Sequence, residues 1–401
     1  MLNAYIYDGL RSPIGRHGGV LASIRPDDLA AEIIKKLIEK TGIPGADIED
    51  VILGDTNQAG EDSRNVARMA VLLAGLPVTV PGQTVNRLCA SGLGAIIDSA
   101  RAITCGEGDV YIAGGVESMT RAPFVMGKAE TAFSRETKIF DTTIGSRFPN
   151  KKITAQYGGH SMPETGDNVA VEFGITREQA DTFAAQSQAK YQQAKTEGFF
   201  EGEITPIEVS QGKKLPPKLV SEDEHPRPSS NFEALSKLKP LFEGGVVTAG
   251  NASGINDGAA ALLIGSETVQ EKYGLKPMAK ILSAAAAGIE PRIMGAGPIE
   301  AIKKAVSRAG LTLDDMDIIE INEAFASQVL SCLKGLDVDF NDPRVNPNGG
   351  AIAVGHPLGA SGARLTLTVA RELQRRQKKY AVVSLCIGVG QGLAMVIENV
   401  S

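Results

Sequence analysis

Residues 47–54 of the chain read DIEDVILG, and residues 314–321 read DDMDIIEI. Each stretch follows a glycine at which a helix is predicted to end, Gly42 in the first case and Gly310 in the second. In both, a short acidic turn leads into a run of apolar residues that is typical of a buried strand. The same helix–turn–strand unit is therefore predicted at two places, 267 residues apart.

A second repeat lies further along each copy. Residues 90–92 and residues 360–362 both read ASG, and each triplet precedes a predicted amphipathic helix. Nineteen residues after each serine an apolar strand begins, at Val110 and at Tyr380. Because two repeats occur in the same order, duplication explains them better than chance. The sequence predicts an α/β fold built from two duplicated halves, with strands covered by helices.

The length of 401 residues exceeds one ordinary core and predicts two or three domains. Between the two copies lies a more polar, proline-rich segment, which is far longer than a normal connection and is therefore expected to have a function of its own. It is predicted to form a loop domain with helices near residues 168–172 and 177–198. The predicted units are an N-terminal half (residues 1–120 and 243–272), the loop domain (121–242) and a C-terminal half (273–401).

Composition excludes several classes of protein. The chain is 43% hydrophobic with a net charge of −6 and no basic block, which argues against nucleic acid as a partner. The four cysteines include no Cys-x-x-Cys pair, which indicates a reducing compartment and no structural metal site. The N-terminus is typical of a strand rather than a signal peptide, and no apolar run is long enough to cross a bilayer. We expect a cytoplasmic protein with no metal and no membrane contact.

Cys89 is the first candidate for chemistry. It lies in residues 85–92 (VNRLCASG), between a predicted strand end and a predicted helix start. A helix N-terminus carries a partial positive charge, so the pKa of this thiol is predicted to fall about two units from its usual value near 8.5. The alternative is a buried structural cysteine, which is the commoner role of a lone cysteine.

His356 lies in the most distinctive run of the chain, residues 348–362 (NGGAIAVGHPLGASG). Glycines at this density permit turns that side chains would forbid. A neutral imidazole held there could accept a proton from a thiol and return it to a leaving group. A core histidine is one alternative, and a phosphate-binding glycine loop is another, although neither the dinucleotide nor the Walker spacing is present.

Two further motifs end predicted strands. Residues 385–392 (LCIGVGQG) supply Cys386 and the N–H of Gly388, which could contribute to an oxyanion hole. Residues 322–325 (NEAF) supply Asn322, an amide able to position a water. Each motif alone is weak evidence for a catalytic site. Together the strand ends of a duplicated α/β fold would present two cysteines, a histidine and an asparagine, which is where such sheets place their sites.

Along the chain the four motifs follow one another in the order Cys89, Asn322, His356 and Cys386. In kind and in order they resemble those of the thiolase family, and the likeness covers essentially the whole chain. The resemblance implies a five-layered α-β-α-β-α fold in which the loop domain covers coenzyme A. It also implies acyl-CoA and coenzyme A as substrates, with coenzyme A a co-substrate rather than a permanently bound cofactor. A homotetramer formed as a dimer of dimers, or a dimer, is the implied assembly.

Carried over by position, the resemblance implies a role for each motif residue. Cys89 would be the nucleophile that becomes acylated, and His356 would deprotonate Cys89 and later the thiol of coenzyme A. Cys386 would protonate the departing acetyl-CoA enolate. Asn322 would hold a water that, with His356, stabilises the thioester oxyanion. The backbone N–H groups of Cys89 and Gly388 would form the other oxyanion hole.

The resemblance also implies residues that bind coenzyme A. Arg227 and Ser253 occupy matching positions, and Met162 is expected to line the channel. An exposed charge is the ordinary interpretation of Arg227 alone, and a core residue that of Met162. Ser161 stands where some acetoacetyl-CoA thiolases have a histidine, which argues against that substrate.

Residues 24–31, 60–69, 140–145 and 161–165 resemble the branch of the family that cleaves 3-oxoadipyl-CoA to succinyl-CoA and acetyl-CoA. The free carboxylate of such a substrate should meet a cation, because burying it unpaired costs several kcal/mol. Arg147 and His160 are the candidates, and for both an ordinary surface charge is the alternative.

Three other functions remain open on the sequence. An acetoacetyl-CoA or medium-chain 3-ketoacyl-CoA thiolase would use the same motif residues. A decarboxylating condensing enzyme would tend to carry a second histidine at the position of Asn322 and would not need Cys386. A non-catalytic acyl-CoA carrier would need neither Cys89 nor His356.

Overall fold

The structure is a computed structural model, and it describes residues 1–212 and 214–400. Lys213, inside the predicted loop domain, and Ser401, at the end of the predicted C-terminal half, lie outside the described residues. The strands in chain order are β1 Ala4–Arg11, β2 Gly15–Arg16, β3 Asp50–Gly54, β4 Gly82–Val85, β5 Val110–Ser118, β6 Phe124–Met126, β7 Ile139–Asp141, β8 Ile207–Val209, β9 Lys218–Val220, β10 Asn256–Gly265, β11 Ala279–Gly288, β12 Ile318–Ile321, β13 Tyr380–Ile387 and β14 Gln391–Asn399.

The helices alternate with these strands in both copies of the repeat. Three short 3-10 turns also occur, at Gly45–Asp47, Pro291–Ala296 and Leu313–Asp315. The α-helices are α1 Pro26–Thr41, α2 Val66–Leu73, α3 Ser91–Cys105, α4 Lys151–Tyr157, α5 Met162–Phe173, α6 Arg177–Thr196, α7 Phe232–Ser236, α8 Thr268–Tyr273, α9 Gly297–Arg308, α10 Ala326–Gly335, α11 Ala351–Val354 and α12 Leu358–Arg376.

The main sheet shows the duplication directly. Its strand order is β4-β3-β5-β10-β1-β11-β14-β13-β12, with β2 paired to β10. From one edge, β3 pairs parallel with β4 and β5, and the next pairings, to β10 and then β1, are antiparallel. From the other edge, β12 and β13 are parallel, and β14 and β11 follow antiparallel. The two copies meet where Ala4 of β1 pairs with Ile281 of β11. The predicted duplicated α/β fold is confirmed.

Five layers follow from where the apolar residues lie. Between the two halves of the sheet, α3 and α12 bury residues such as Leu93, Ile96 and Leu365 against strands of both halves. The outer face of the N-terminal half is covered by α1 and α2. The outer face of the C-terminal half is covered by α9 and α10. A central helix must be apolar on two faces, which is why most of α12 is buried whereas α9 is amphipathic.

The inserted segment shares its buried residues with both halves. Val169 of α5 and Phe183 of α6 belong to the apolar cluster of the C-terminal half. Ile207 and Val220 belong to the cluster of the N-terminal half. The two predicted helices of the segment are present as α5 and α6. The domain boundaries given above remain a prediction.

A buried charge network attaches the insertion to β1. Arg11 is fully buried and donates from Nε to Glu203 at 2.6 Å. Its two terminal nitrogens donate to both oxygens of Asp223, at 2.7 and 3.0 Å. The hydroxyl of Tyr191 and the backbone N–H of Ile14 also donate to Asp223. Every charge in the network therefore has a partner.

The segment Leu88–Cys105 has the length and hydropathy of a membrane span, and it is largely buried inside the fold as the central helix α3. Among residues 1–212 and 214–400, no group of three or more His, Cys, Asp or Glu side chains is arranged to hold a metal ion.

Candidate active site

The five predicted motif residues lie at one end of the two halves. Asn322 directly follows β12, and its backbone N–H donates to Ser384 of β13 at 2.9 Å. The amide of Asn322 contacts the ring of His356. The backbone N–H of Gly388 lies close enough to the Cys89 sulfur to lower the pKa of that thiol. Cys89 in turn helps to raise the pKa of Cys386. The structure therefore pairs Asn322 with His356 and groups Cys89 with Gly388 and Cys386, and the adjacent strands β12 and β13 carry Asn322 and Cys386 at their ends.

A strained turn presents Cys89. Leu88 has φ of +44°, a left-handed conformation that is costly for a residue with a large side chain. Ser91 holds this turn, because its hydroxyl donates to the Leu88 carbonyl at 2.6 Å and accepts from the Arg87 N–H at 2.9 Å. Helix α3 then starts at Ser91, two residues after the thiol. Backbone strain at such a position is typical of a functional site.

The pKa of Cys89 moves opposite to the sequence-based prediction. Burial raises it to about 11, and the charge of Glu117 adds to the increase, while the N–H groups of Gly388 and Cys89 lower it. The predicted lowering by the helix N-terminus is therefore wrong in net direction. Loss of hydration around the sulfur outweighs the donors that face it. At neutral pH Cys89 is a thiol, and a base is needed to form the thiolate.

His356 is held as a neutral imidazole of one tautomer. Burial lowers its pKa to about 3, with a smaller contribution from the charge of Arg364. Its Nδ1 lies 2.6 Å from the Ser361 hydroxyl, which itself donates to the Pro357 carbonyl at 2.8 Å. Since that hydroxyl proton is already committed, Nδ1 must carry the ring proton and donate to Ser361. The other nitrogen, Nε2, is left unprotonated and can act as a base.

Replacing Ser361 with alanine is expected to lower kcat about 10-fold to 100-fold with little change in KM, because the ring loses the acceptor that selects its tautomer. Steady-state kinetics across pH measures the effect. Thr366→Val is a matched control, since Thr366 is a buried hydroxyl on the same helix that donates to the Gly362 carbonyl. A Ser361→Ala enzyme with the kcat of the Thr366→Val enzyme would contradict the assigned tautomer.

Asn322 is placed to hold a small polar ligand beside His356. Its Nδ2 lies 3.3 Å from His356 Nε2, a long and therefore weak contact that an incoming proton donor can replace. Its Oδ1 is buried and has no hydrogen-bond partner within the described part of the chain. A buried amide oxygen of this kind calls for a donor, because leaving it unpaired costs free energy.

Cys386 lies in an apolar pocket at the end of β13. It is fully buried with Val247, Met294 and Phe325, and burial raises the pKa of its thiol well above the ordinary value. A neutral thiol is the form that can donate a proton.

Gly388 leaves open the space beside this pocket. A Cβ at Gly388 would lie 3.3 Å from Leu88 and 4.0 Å from the sulfur of Met162, so both side chains border that space. The turn that follows is strained, since Val389 has φ of +65°.

Two family domains account for nearly the whole chain. Residues 4–268 match the thiolase N-terminal domain, and residues 275–399 match the thiolase C-terminal domain. The chain belongs to the thiolase family. It is therefore an acyltransferase, as predicted, and the family acts on acyl-CoA and coenzyme A.

Named relatives and a solved structure agree with the family. This thiolase is 55% identical to the 3-oxoadipyl-CoA/3-oxo-5,6-dehydrosuberyl-CoA thiolase of Escherichia coli (strain K12), over 100% of both chains. It is 56% identical to a beta-ketoadipyl-CoA thiolase of Acinetobacter baylyi, again over 100% of both chains. The crystal structure of the Bacillus anthracis acetyl-CoA acetyltransferase matches with a TM-score of 0.93 at 38% identity, covering 100% of this chain and 99% of that one.

The residues expected to bind coenzyme A are spread around the site of this thiolase. Met162, half-buried at the start of α5, borders the space beside Gly388. Ser253 donates its backbone N–H to the carbonyl of Ala324, next to the Asn322 motif. Arg227 is exposed, and its backbone N–H donates to Gln188 at 2.9 Å. None of the three makes a hydrogen bond to Cys89 or His356 in the described part of the chain.

The two candidates for a substrate carboxylate have different surroundings. Arg147 is half-buried and its Nη2 reaches Asn57 at 3.5 Å. His160 is exposed and precedes Met162 by two residues. The structure does not bring either side chain into hydrogen-bond contact with Cys89 within residues 1–212 and 214–400. Their assignment remains a prediction.

Several residues of the site are not predicted by the motifs. Ser361 belongs to the ASG repeat, and its only sequence signal as a partner of His356 is a hydroxyl five residues further on, at a predicted helix start. No sequence motif predicts Glu117 as a residue of the site. It lies buried beside the site and accepts a hydrogen bond from the Gly359 N–H at 2.8 Å. Burial and the neighbouring Glu117 carboxyl raise the pKa of both Asp55 and Asp62.

Proposed function

We propose that this thiolase cleaves 3-oxoadipyl-CoA with coenzyme A to give succinyl-CoA and acetyl-CoA. The observation that carries the proposal is identity of 55–56% over full length to relatives with that activity in their names, against 38% to an acetyl-CoA acetyltransferase of the same fold. Ser161, where some acetoacetyl-CoA thiolases carry a histidine, supports the same choice.

In the proposed reaction the Cys89 thiol gives its proton to Nε2 of His356, and the sulfur attacks the C3 ketone carbon. Nε2 is the nitrogen that accepts this proton, because Nδ1 already carries the ring proton that is donated to Ser361. The N–H groups of Cys89 and Gly388 supply donors for the oxygen that becomes negative. The C2–C3 bond then breaks, which leaves a succinyl thioester on Cys89 and the enolate of acetyl-CoA.

The second half of the reaction uses the remaining residues. The enolate takes the proton of Cys386, whose thiol is kept neutral by burial. The proton that His356 took from Cys89 passes to the Cys386 thiolate, which leaves His356 neutral again. His356 then removes the proton of the coenzyme A thiol. That sulfur attacks the succinyl thioester and releases the Cys89 thiolate, which takes this proton back from His356. Asn322, with its unpartnered buried oxygen, would hold the water that stabilises the thioester oxyanion with His356.

We further propose that coenzyme A lies against Arg227, Ser253 and Met162. Arg227 is an exposed cation able to meet a phosphate. Ser253 and Met162 adjoin the Asn322 motif and Gly388, which would direct the thiol end of the molecule towards Cys89. No permanently bound cofactor is needed for these steps.

A homotetramer in the cytoplasm is the proposed assembly and location. The insertion carries large apolar side chains that are mostly exposed, including Phe124, Met126, Phe133 and Ile139. Phe124, Met126 and Ile139 lie on the paired strands β6 and β7, and large apolar side chains exposed on one such unit support an interface between protein subunits.

The proposed function is tested by comparing kcat/KM for coenzyme A-dependent cleavage of 3-oxoadipyl-CoA, acetoacetyl-CoA and a longer neutral 3-oxoacyl-CoA. A preference for 3-oxoadipyl-CoA supports the proposal. A preference for a neutral substrate would assign the protein to acetoacetyl-CoA or medium-chain metabolism with the same reacting residues. Activity on none, together with tight binding of coenzyme A, would favour a non-catalytic carrier.

Replacing Arg147 with alanine is expected to lower kcat/KM for 3-oxoadipyl-CoA about 10-fold to 100-fold, because a charge-assisted contact to the substrate carboxylate contributes about 1.5–3 kcal/mol. A neutral substrate of similar length should be unaffected. His160→Ala tests the other candidate in the same assay. Lys152→Ala removes an exposed cation of α4 and serves as the control. Equal losses on charged and neutral substrates would show that the variant residue does not bind the carboxylate.

A further inference from the structure

A buried amide connects two of the four histidines of the chain. Asn256, at the start of β10, is fully buried, and its Oδ1 accepts the backbone N–H of His356 at 2.9 Å. Its Nδ2 donates to the Gly15 carbonyl at 2.9 Å and lies 3.3 Å from Nδ1 of His225. One side chain therefore contacts the main chain of the proposed base and a histidine of the inserted segment.

The partners of Asn256 determine which way its amide points. His356 offers a donor, so the oxygen must face His356. Gly15 offers a carbonyl oxygen, so the NH₂ group must face Gly15. The same NH₂ group faces His225, so Nδ1 of His225 must be an unprotonated acceptor and its ring proton must lie on Nε2. Both histidines are then neutral, with opposite tautomers.

Glycines on either side allow this close contact. Gly355, directly before His356, has φ of +109°, and a Cβ there would lie 2.6 Å from Cγ of Asn256. Gly254 lies against the His225 ring, where a Cβ would come within 2.3 Å of Cε1. Since any other residue would push the amide or the ring aside, the two glycines hold Asn256 between the two histidines.

We propose that Asn256 is a positioning residue that fixes the main chain of His356, and that His225 fixes the orientation of the Asn256 amide. The inference rests on the proposed role of His356 as the base. Because His225 precedes Arg227 by two residues, the same amide links the segment proposed to bind coenzyme A with His356.

The charges around His225 favour the neutral ring that this arrangement needs. Burial, together with the neighbouring Arg227 and Arg16, lowers the pKa of His225 to about 4. Asp223 and Glu224 face the ring as well and act in the opposite direction. In a protonated His225 the Nδ1–H donor would face the NH₂ group of Asn256, which is also a donor. The repulsion between the two donors would turn the amide away from His356.

Nitrogen-15 NMR of histidine-labelled protein tests the two tautomers without any assay of activity. The chain has four histidines, so His17→Asn, His160→Asn and His225→Asn variants assign the signals. At pH 7, His225 is expected to show an unprotonated Nδ1 and a protonated Nε2, and His356 the reverse. A protonated Nδ1 on His225 in the unaltered protein would overturn the inference, whatever substrate the enzyme prefers.

Substitution of Asn256 tests the positioning role. Asn256→Ala is expected to lower kcat about 10-fold to 100-fold at every pH, with the KM for coenzyme A changing less, because a small displacement of the base slows the reaction. Asn256→Asp keeps the acceptor for His356 but turns a second oxygen to His225 Nδ1. That oxygen should raise the pKa of His225, so that His225 becomes protonated as pH falls and donates to the new carboxylate. The ratio of the kcat of Asn256→Asp to the kcat of Asn256→Ala should therefore increase as pH falls.

Asn251→Asp is the matched control. Asn251 is an equally buried amide on the same segment, and its side chain contacts Asp181, Val246 and Thr248 rather than either histidine. The Asn251→Asp substitution should lower stability without changing the pH profile of kcat or the NMR signals of His225. An Asn256→Ala enzyme with unchanged kcat, or an Asn256→Asp enzyme whose pH profile matches that of Asn251→Asp, would overturn the proposal. Absence of thiolase activity in the unaltered protein would instead overturn the proposed function.

Discussion

Replacing Cys89 with serine is expected to lower kcat by a factor on the order of 10⁴ or more and to abolish covalent acylation. Burial already raises the pKa of the thiol to about 11, and a hydroxyl in the same place is harder still to ionise. Acid quenching of a reaction with 3-oxoadipyl-CoA labelled in the succinyl portion measures the effect. The unaltered enzyme should retain label on Cys89 and the variant none.

The pH dependence of alkylation checks the protonation state of the same sulfur. Because the pKa of Cys89 is raised, its reaction with iodoacetamide should accelerate about tenfold per pH unit between about pH 7 and 10. A Cys105→Ala background is needed, since Cys105 is exposed and would react as well. A rate that is constant over this range would indicate a preformed thiolate–imidazolium pair. Retained label in Cys89→Ser would move the nucleophile to another residue.

Replacing Arg11 with methionine is expected to lower the free energy of unfolding by about 3–5 kcal/mol. The guanidinium is fully buried, and its loss leaves the Glu203 and Asp223 carboxylates without the cation that both of them contact. Nearby Glu203 and Asp223 raise the pKa of Arg11, so it is charged at every pH at which the protein folds. The midpoint of urea denaturation, followed by circular dichroism, measures the loss.

Neutralising the Glu203 and Asp223 carboxylates, which lose their cation in Arg11→Met, should restore much of the lost stability. In the variant Arg11→Met with Glu203→Gln and Asp223→Asn, no uncompensated carboxylate remains, so its midpoint should exceed that of Arg11→Met. Lys36→Met removes a surface cation that pairs with Glu39, and it should leave the midpoint unchanged. If Arg11→Met behaved like Lys36→Met, the network would not contribute to stability.

The fold was largely predictable because its signals are local and repeated. The acidic turn and apolar run at residues 47–54 and 314–321 correspond to the approach to β3 and β12, which occupy equivalent places in the sheet. The ASG triplets mark the start of α3 and the first turn of α12. Less predictable was the insertion, because its apolar residues are sparse and are divided among clusters that it shares with the two halves.

The candidate site was predictable in its residues and less so in its energetics. Cys89, His356, Cys386 and Asn322 could be found because a short motif marks each of them, and the motifs of His356 and Cys386 are rich in glycine. The direction in which the pKa of Cys89 shifts could not be predicted. A helix start is visible in the sequence, whereas the burial of the sulfur is visible only in the structure. The contact of His356 with Ser361 had only a weak sequence signal, because the helix turn that places the hydroxyl at Nδ1 is seen only in the structure.

The sequence by itself determined the α/β class, the duplication, the family and the kinds of side chain available for chemistry, because periodicity, glycine content and motif order are properties of the chain. Only the tertiary structure decided how those side chains are protonated and held. The Asn256 contact with His356 spans 100 residues, and the pairing of Arg11 with Glu203 spans 192. Burial and contacts between distant residues set tautomers, pKa values and ion pairs, and both exist only after the chain has folded.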